Sequence, residues 1–187
     1  MNQPTSHKNL LSEKIKNSVT GQTISFFDNG SNANEVLEMQ STYASLSAEP
    51  PMHYHPKQTE IFEVLSGVLT LKVKDEIRVL RVGDGITIPP NTHHAMWNAG
   101  ATETLVSWTV YPPLKTKPFL KTMFKLANDG ETNREGIPSV LLMIFLLKKY
   151  KDTICLVKSN QKMVKLLYLI LIPLFKFKKY HKKFGSF

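Results

Sequence analysis

The pattern of apolar and polar positions divides the chain into two parts. From Thr20 to Pro112, apolar residues alternate with polar ones in short runs that are rich in β-branched and aromatic residues, which is typical of half-buried strands. The eight runs are TISFF, VLEMQSTYASLSA, EIFEVLSG, VLTLKVK, EIRVLRV, GITIP, HAMWN and TLVSWTVY. Closely spaced strands without intervening helices predict an antiparallel sandwich or barrel.

The second part begins after Pro112, where the apolar spacing changes to that of helices. Residues 116–128 place Phe119 and Met123 on one face and lysines on another, which predicts an amphipathic helix. Two further apolar runs follow a polar linker, VLLMIFLL and VKLLYLILIPLF. We expect Pro173 to break the second run, and neither run reaches the roughly 20 apolar residues that a membrane-spanning helix requires.

These patterns divide the 187 residues into three segments. We predict a weakly ordered arm or short helix over residues 1–19, a β barrel over residues 20–113 and a helical basic extension over residues 114–187. An apolar fraction of 42% in a chain of this length allows one sizeable core. Long intrinsic disorder is thereby excluded.

The net charge of +9 is located in the C-terminal tail, residues 141–187. Residues 141–187 contain eleven lysines and one acidic residue, whereas residues 1–140 contain thirteen basic and fourteen acidic residues. An almost neutral body is not typical of a nucleic-acid-binding protein, and a basic apolar tail favours an anionic surface. We therefore expect residues 162–183 to contact an anionic membrane, with packing on the barrel or on a second subunit as the alternative.

The cellular compartment and the assembly follow from two further features. Cys155 is the single cysteine, so no internal disulfide can form and a reducing cytoplasmic compartment is expected. The first residues lack the apolar stretch of a secretory signal, and the tail would hold the protein at the inner face of the membrane. The sheet edges and outer apolar surface of a small barrel predict a homodimer.

Candidate chemistry begins in residues 51–67, PMHYHPKQTEIFEVLSG. Residues i and i+2 of a strand project to the same face, so His53 and His55 are expected to point together into the barrel. A turn over residues 56–59 is expected to place Glu60 across a hairpin from both histidines. Imidazole and carboxylate ligands suit divalent ions such as zinc, iron, manganese or nickel.

A second segment, GDGITIPPNTHHAMWN, places His94 at the start of another strand, with His93 on the opposite face. With these residues the chain resembles the cupin superfamily. The residues that fit its two motifs are His53, His55, Glu60 and Gly67 in the first, and Gly83, Pro89, His94 and Asn98 in the second. Ser47 and Asn91 stand where the family has glycines, and asparagine tolerates a positive φ.

The resemblance covers residues 25–112 and implies a mainly β fold, a double-stranded β-helix or jelly roll, followed here by C-terminal helices. It implies that a divalent transition metal, iron, manganese, zinc or nickel, is bound by His53, His55, Glu60 and His94. The tail is similar to the C-terminal extension of some small bacterial single-domain cupins.

Three apolar residues share the predicted inner face and are candidates for lining a pocket, namely Phe62, Val64 and Met96. Trp97 and Trp108 have weaker claims, because the face of the last strand cannot be fixed from the sequence. No catalytic residue can be named, and the inward positions that can be assigned show no additional carboxylate, lysine or arginine.

The ligand set leaves the reaction open. Three histidines and a glutamate occupy four positions of an octahedral ion and leave two for water, dioxygen or a bidentate substrate. The family contains oxidases, dioxygenases, decarboxylases and isomerases beside non-catalytic storage and sugar-binding proteins. We predict a metal-dependent oxygenase for a small oxygen-bearing molecule, with a non-catalytic metal- or ligand-binding module as the alternative. An open pocket beside the metal would favour the enzyme.

Overall fold

The computed structural model describes residues 10–28, 35–157 and 160–177. The strands in these residues are β1 (Leu10–Lys16), β2 (Thr23–Asp28), β3 (Leu37–Tyr43), β4 (His53–Tyr54), β5 (Thr59–Ser66), β6 (Val68–Val73), β7 (Glu76–Arg81), β8 (Gly85–Ile88), β9 (His94–Trp97), β10 (Thr104–Tyr111) and β11 (Cys155–Leu156). The helices are α1 (Thr116–Asn128), α2 (Val140–Lys149) and α3 (Gln161–Phe177).

The strands form two antiparallel sheets. One sheet has the order β1-β2-β3-β10-β5-β8 and the other the order β11-β4-β9-β6-β7. Between β4 and β10 the chain passes repeatedly from one sheet to the other, as in a jelly roll. The predicted fold, mainly β with a jelly-roll barrel and C-terminal helices, is confirmed.

Alternation along the strands builds the barrel core. In β5, Phe62 and Val64 are 1% exposed, whereas Ile61 between Glu60 and Phe62 is 45% exposed. Burial of one large apolar side chain contributes about 1.5–3 kcal/mol, and a slip of one residue would turn each of them to the wrong face. The barrel core also contains Ile24, Phe26, Met39, Leu69, Leu71 and Val106.

The N-terminal segment forms a strand, which corrects the expectation of an arm or short helix over residues 1–19. Residues Leu10–Lys16 pair with β2 as β1, and Ile15 packs against the barrel core while Leu10 stays 73% exposed. The reason is that the edge of β2 offers unpaired backbone donors and acceptors, which an adjacent segment can satisfy. Residues 1–9 lie outside the described residues.

The first two helices of the extension pack as a unit against the barrel. The helix predicted over residues 116–128 is confirmed as α1, with Phe124 in the barrel core and Met123 packed against two clusters. The second cluster, here called the extension core, contains Leu126, Leu142, Phe145, Leu146, Tyr150, Ile154 and Tyr168. The apolar face of α1 therefore joins the two cores.

The third helix differs from the prediction at Pro173. A break was expected there, yet α3 continues to Phe177. A proline removes one backbone hydrogen bond, and the helical backbone is continuous on both sides of it. None of the described helices is long and apolar enough to cross a membrane. Residues 178–187, with four of the tail lysines, lie outside the described residues.

A short strand, β11, ties the extension to the barrel. Cys155 pairs with Tyr54 and Leu156 pairs with His53. The extension therefore covers the edge of the five-stranded sheet at one of the predicted metal ligands. The sequence gives no sign of this pairing, because a two-residue strand carries no measurable period.

The turns of the two motifs have the required geometry. Gly67 has a φ of +77°, and a Cβ there would lie 2.6 Å from the backbone oxygen of Glu103. Asn91, in place of the family glycine, has a φ of +61°. The hydroxyl of Ser47 accepts a hydrogen bond of 2.9 Å from the backbone N–H of Asn98, so this substitution adds a contact between two loops.

Candidate metal centre

Three histidines meet inside the barrel from one sheet. His53 begins β4 and His94 begins β9, and the two are direct partners in the strand register. His55 follows β4, and the candidate ligand nitrogens of all three lie within 4.8 Å of one another. His55 and His94 are buried and His53 is half-buried. The three histidines form a cluster that could hold a metal ion.

Glu60 reaches this cluster from the opposite sheet. It lies on β5 and pairs with Val110 and Ile88 of the flanking strands. Its Oε2 lies 3.1 Å from Nε2 of His55 and 3.0 Å from Nε2 of His94. The hairpin expected between the strands of His53 and Glu60 is wrong, because β4 and β5 belong to different sheets. The carboxylate approaches the histidines across the barrel interior.

Backbone carbonyls orient each imidazole through its Nδ1 atom. The pairs are His53 Nδ1 with Pro51 O at 3.0 Å, His55 Nδ1 with Thr153 O at 2.6 Å, and His94 Nδ1 with Thr92 O at 2.8 Å. A carbonyl oxygen only accepts, so each Nδ1 carries the proton and each Nε2 of a neutral ring presents a lone pair. Hydrogen bonds of this kind hold metal-ligating histidines in place.

The inner atoms of the cluster fit a metal ion. Nε2 of His55, Nε2 of His94 and Oε2 of Glu60 are buried without a hydrogen-bond partner. When both imidazoles are neutral, their lone pairs and the carboxylate oxygen about 3 Å away repel one another in a buried site, and a proton on His55 or a bound cation relieves this repulsion. A divalent cation removes this repulsion, and imidazole with carboxylate is a donor set that zinc, iron, manganese and nickel accept.

The pKa values show how strongly the groups act on one another. Burial lowers the pKa of His53 to about 3, which keeps the ring neutral. Burial opposes ionisation of Glu60, but His55 and His94 hold its pKa below the ordinary value. Burial also disfavours a charged His55, and the Glu60 carboxylate outweighs it and raises the pKa. The metal-free centre thus favours a proton where a cation would bind.

Trp108 holds the second oxygen of Glu60. The indole N–H donates to Oε1 at 3.1 Å, and the ring stacks on Phe62 with centroids 5.5 Å apart. The sequence left the face of Trp108 open. The observed register, which pairs Trp108 of β10 with Phe62 of β5, settles it as inward.

The sequence patterns did not identify two other groups at the site. Tyr43 lines the space beside the histidines, and burial raises the pKa of its hydroxyl, which stays protonated. The alternation that buries Met39, Ser41 and Tyr43 along β3 is a signal that could have found it. The carbonyl of Thr153 could not be found in this way, because every residue type carries a backbone acceptor.

A cavity of about 240 Å³ lies beside the histidines. The three histidines and Glu60 line it, and so do Phe62 and Met96 of the predicted pocket. Val64 packs in the barrel core instead. The rest of the lining comes from α1, α2 and the segments 135–138 and 153–156 of the extension, and from barrel-side residues such as Asn17, Tyr43 and Trp108. The three histidines and Glu60 thus contribute to the wall of this cavity.

His93 lies apart from the centre, as the alternation predicts. Its side chain is exposed and its ring is 5.4 Å from the ring of Tyr54. Although His93 adjoins His94 in sequence, the two side chains lie on opposite faces of the strand. His93 therefore provides a natural control for substitutions at the centre.

The comparison with protein families agrees with the fold. Residues 42–110 match the family model of the cupin domain. This part of the chain is a domain of the cupin superfamily.

Two fungal oxidoreductases share segments of this chain. An oxidoreductase of Arthrobotrys oligospora is 44% identical over 50 residues, which are 26% of this chain and 20% of that protein. The oxidoreductase macE of Penicillium terrestre is 40% identical over 65 residues, which are 33% of this chain and 25% of that protein. The matched parts span a quarter or less of these curated relatives.

Among solved structures, an RmlC-like cupin from Shewanella frigidimarina superposes with a TM-score of 0.47 at 17% identity. The superposition covers 63% of this chain and 96% of that structure.

Proposed function

We propose that this protein is a metal-dependent oxygenase that acts on a small oxygen-bearing molecule. One observation carries the proposal. The atoms that could bind a metal ion, Nε2 of His55, Nε2 of His94 and Oε2 of Glu60, have no hydrogen-bond partner, and these residues line a cavity of about 240 Å³. An ion held by these residues and His53 would keep two octahedral positions for other ligands. The oxidoreductase names of the fungal relatives support a redox reaction over binding alone.

The chain's own residues prepare the site for such a reaction. A bound metal would supply Lewis acidity and redox chemistry. The carbonyls of Pro51, Thr153 and Thr92 keep the histidine Nε2 atoms directed inward, and Trp108 fixes the Glu60 carboxylate. The protonated hydroxyl of Tyr43 can donate a hydrogen bond to an oxygen of a bound molecule.

Metal analysis of the purified full chain tests the centre. We expect one transition-metal ion per chain in the parent protein and loss of most of it in His94→Ala, because the ligand is removed. The circular dichroism should be retained, since the strands are paired through their backbones. His93→Ala is the matched control and should keep its metal. Unchanged metal content in a His53→Ala/His94→Ala double variant would refute the centre.

Dioxygen uptake tests the reaction itself. The metal-loaded protein should consume dioxygen with a compound from a panel of small phenols and dicarbonyls, and His94→Ala should not. Metal binding without uptake for any compound in the panel favours the alternative, a non-catalytic metal- or ligand-binding module.

For the tail, we propose contact with an anionic membrane surface. The helix α3 exposes one apolar face, whose residues Met163, Leu166, Leu169 and Ile170 are 51% to 63% exposed. Lys162 and Lys165 are exposed on the same helix. Each lysine near an anionic leaflet contributes about 1 kcal/mol. Such contact would hold the protein at the inner face of the membrane.

Vesicle co-sedimentation tests the membrane contact. Phosphatidylserine-containing vesicles should recover the full chain at low salt, high salt should release part of it, and Leu169→Ser/Ile170→Ser should weaken recovery. Equal recovery with phosphatidylcholine vesicles, or none with either, would refute the contact. The homodimer stays a separate prediction, and light scattering that shows a monomer at high micromolar concentration would contradict it.

A further inference from the structure

The lining of the cavity beside the histidines comes from two parts of the chain. The barrel supplies the three imidazoles and the Glu60 carboxylate. The extension supplies a set of apolar side chains, here called the roof, namely Leu120, Met123, Met143, Leu147, Ile154 and Leu156. A molecule in this cavity would therefore meet both the metal centre and hydrocarbon or thioether groups.

The cavity offers no side-chain cation to an anionic ligand. None of the described residues that line it is a lysine or an arginine. The lysines of α1 lie elsewhere, with Lys121 and Lys125 exposed on its outer side. A carboxylate or phosphate group against the roof would lose its hydration without gaining an ion pair there, which is costly. The lining, which also includes the carboxylates of Glu60 and Glu135, thus disfavours anionic molecules.

The volume limits the size of the ligand. About 240 Å³ lies below the range of roughly 300–1,000 Å³ that is typical of sites for drug-sized molecules. A single substituted ring or a short branched chain is therefore the appropriate size.

The roof is a fixed part of the site rather than a loose cover. Leu147 is 4% exposed and Ile154 is 9% exposed, and β11 continues from this segment to pair with β4 at His53. Thr153, next to Ile154, holds the Nδ1 atom of His55 at 2.6 Å. The same segment thus shapes the roof and orients a candidate metal ligand.

We infer that the extension selects the molecule that reaches the metal centre, and that it selects a compact compound without a negative charge, with an oxygen at one end and an apolar body. The inference rests on the proposed function only in treating that compound as a substrate. Binding itself can be measured without any reaction.

A series of para-substituted phenols tests this selection by calorimetry on the full chain, both metal-stripped and loaded with Zn²⁺. From phenol through 4-methylphenol and 4-ethylphenol to 4-propylphenol, each added carbon should tighten binding by about fourfold until the cavity is full. The anion 4-hydroxybenzoate should bind at least about tenfold more weakly than 4-methylphenol, because its charge replaces an apolar group.

Matched methionine variants locate the effect. Met143→Phe narrows the cavity at the roof. It should weaken the binding of 4-propylphenol by about tenfold and change the binding of phenol little, because only the longer compound reaches the added ring. Met163→Phe makes the same change on the exposed side of α3 and should alter neither affinity. Unchanged binding of 4-propylphenol by Met143→Phe would overturn the assignment of the roof.

The remaining outcomes are equally decisive. Equal affinities along the series, tighter binding of 4-hydroxybenzoate, or no binding of any member would each overturn the inference. Metal content is measured on the same preparations. A chain that binds no metal but retains the dependence on alkyl length contradicts the proposed function alone. One that binds metal without this dependence contradicts the inference alone.

Discussion

The barrel and the extension bury their apolar residues according to different rules. In the barrel, the alternation along β5 assigns Phe62 and Val64 to the core and Ile61 to the outside. In the extension, α1 and α2 fill a core of their own, while α3 leaves Leu166 and Ile170 more than half exposed. A strand pattern fixes both the face and the register, whereas an amphipathic helix shows only that some partner exists.

The candidate site crosses the boundary between these two regions. The barrel contributes the histidines and Glu60, while the extension contributes the carbonyl of Thr153 and the roof of the cavity. Met123 of α1 packs against both cores. We therefore expect the two regions to depend on each other in stability and in function, and substitutions in either one can test this.

The largest effect is expected at the centre of the extension core. Phe145 is fully buried, with its ring 6.4 Å from that of Tyr168. Phe145→Ala should lower the free energy of unfolding by about 3–5 kcal/mol, because it leaves a cavity. Chemical denaturation followed by circular dichroism should still show one transition, since Met123 couples the cores.

Val140 provides the control for this experiment. It lies on the same helix and is 78% exposed, so Val140→Ala should change the free energy of unfolding by less than about 0.5 kcal/mol. Two separate transitions in Phe145→Ala, the later one at the parent's midpoint, would show that the extension unfolds independently of the barrel.

A backbone turn gives the corresponding test in the barrel. Gly67→Ala combines a positive φ with a Cβ placed 2.6 Å from a backbone oxygen, and should cost about 3 kcal/mol in the free energy of unfolding. Gly83 has a φ of +86° with no atom within 4 Å of its added Cβ, so Gly83→Ala should cost only about 1 kcal/mol. Equal losses in thermal or urea unfolding would refute the close-contact explanation.

Local patterns predicted much of the fold. The alternation of the eight runs predicted the strands from β2 to β10 apart from β4, and the spacing of residues 116–128 predicted α1. The motif spacing also selected four residues that the structure brings together, His53, His55, Glu60 and His94. These features depend on intervals within one segment, which the sequence displays directly.

Features that depend on distant partners were not predictable. The strand β1 forms because β2 has a free edge, and Glu60 reaches the histidines because the chain changes sheets after β4. The inward face of Trp108 follows from pairing with β5. Pro173 shows the limit of a local rule, because the loss of one hydrogen bond did not end α3.

A smaller effect is expected from the hydrogen bond between Trp108 and Glu60. Trp108→Phe keeps an aromatic ring against Phe62 but removes the indole N–H that donates to Glu60. Loss of a group that orients a metal ligand costs about tenfold or more in metal affinity. Zn²⁺ titration should show this weakening, and Trp97→Phe, a change at a half-buried position of β9, should not. Equal Zn²⁺ affinities for both variants would show that Trp108 does not orient the Glu60 ligand.

The smallest effect is expected at the contact between β1 and α1. The Glu13 carboxylate lies 3.3 Å from Nζ of Lys117 and accepts a hydrogen bond from Nζ of Lys121. These groups are partly exposed, so Glu13→Gln should lower the free energy of unfolding by less than about 1 kcal/mol. Glu63→Gln, the same change on the exposed side of β5, is the control.

The stabilisation by Glu13 should depend on pH. The hydrogen bond from Lys121 lowers the pKa of Glu13 in the folded protein, so the stabilisation is present above the ordinary carboxyl pKa and is lost as the pH falls through the lowered one. The difference in melting temperature between the parent and Glu13→Gln should therefore shrink in acid, and also at about 1 M salt, where such contacts are screened. If the difference in melting temperature grew in acid, the assigned ion pair would be contradicted, and the contact between β1 and α1 would depend on packing alone.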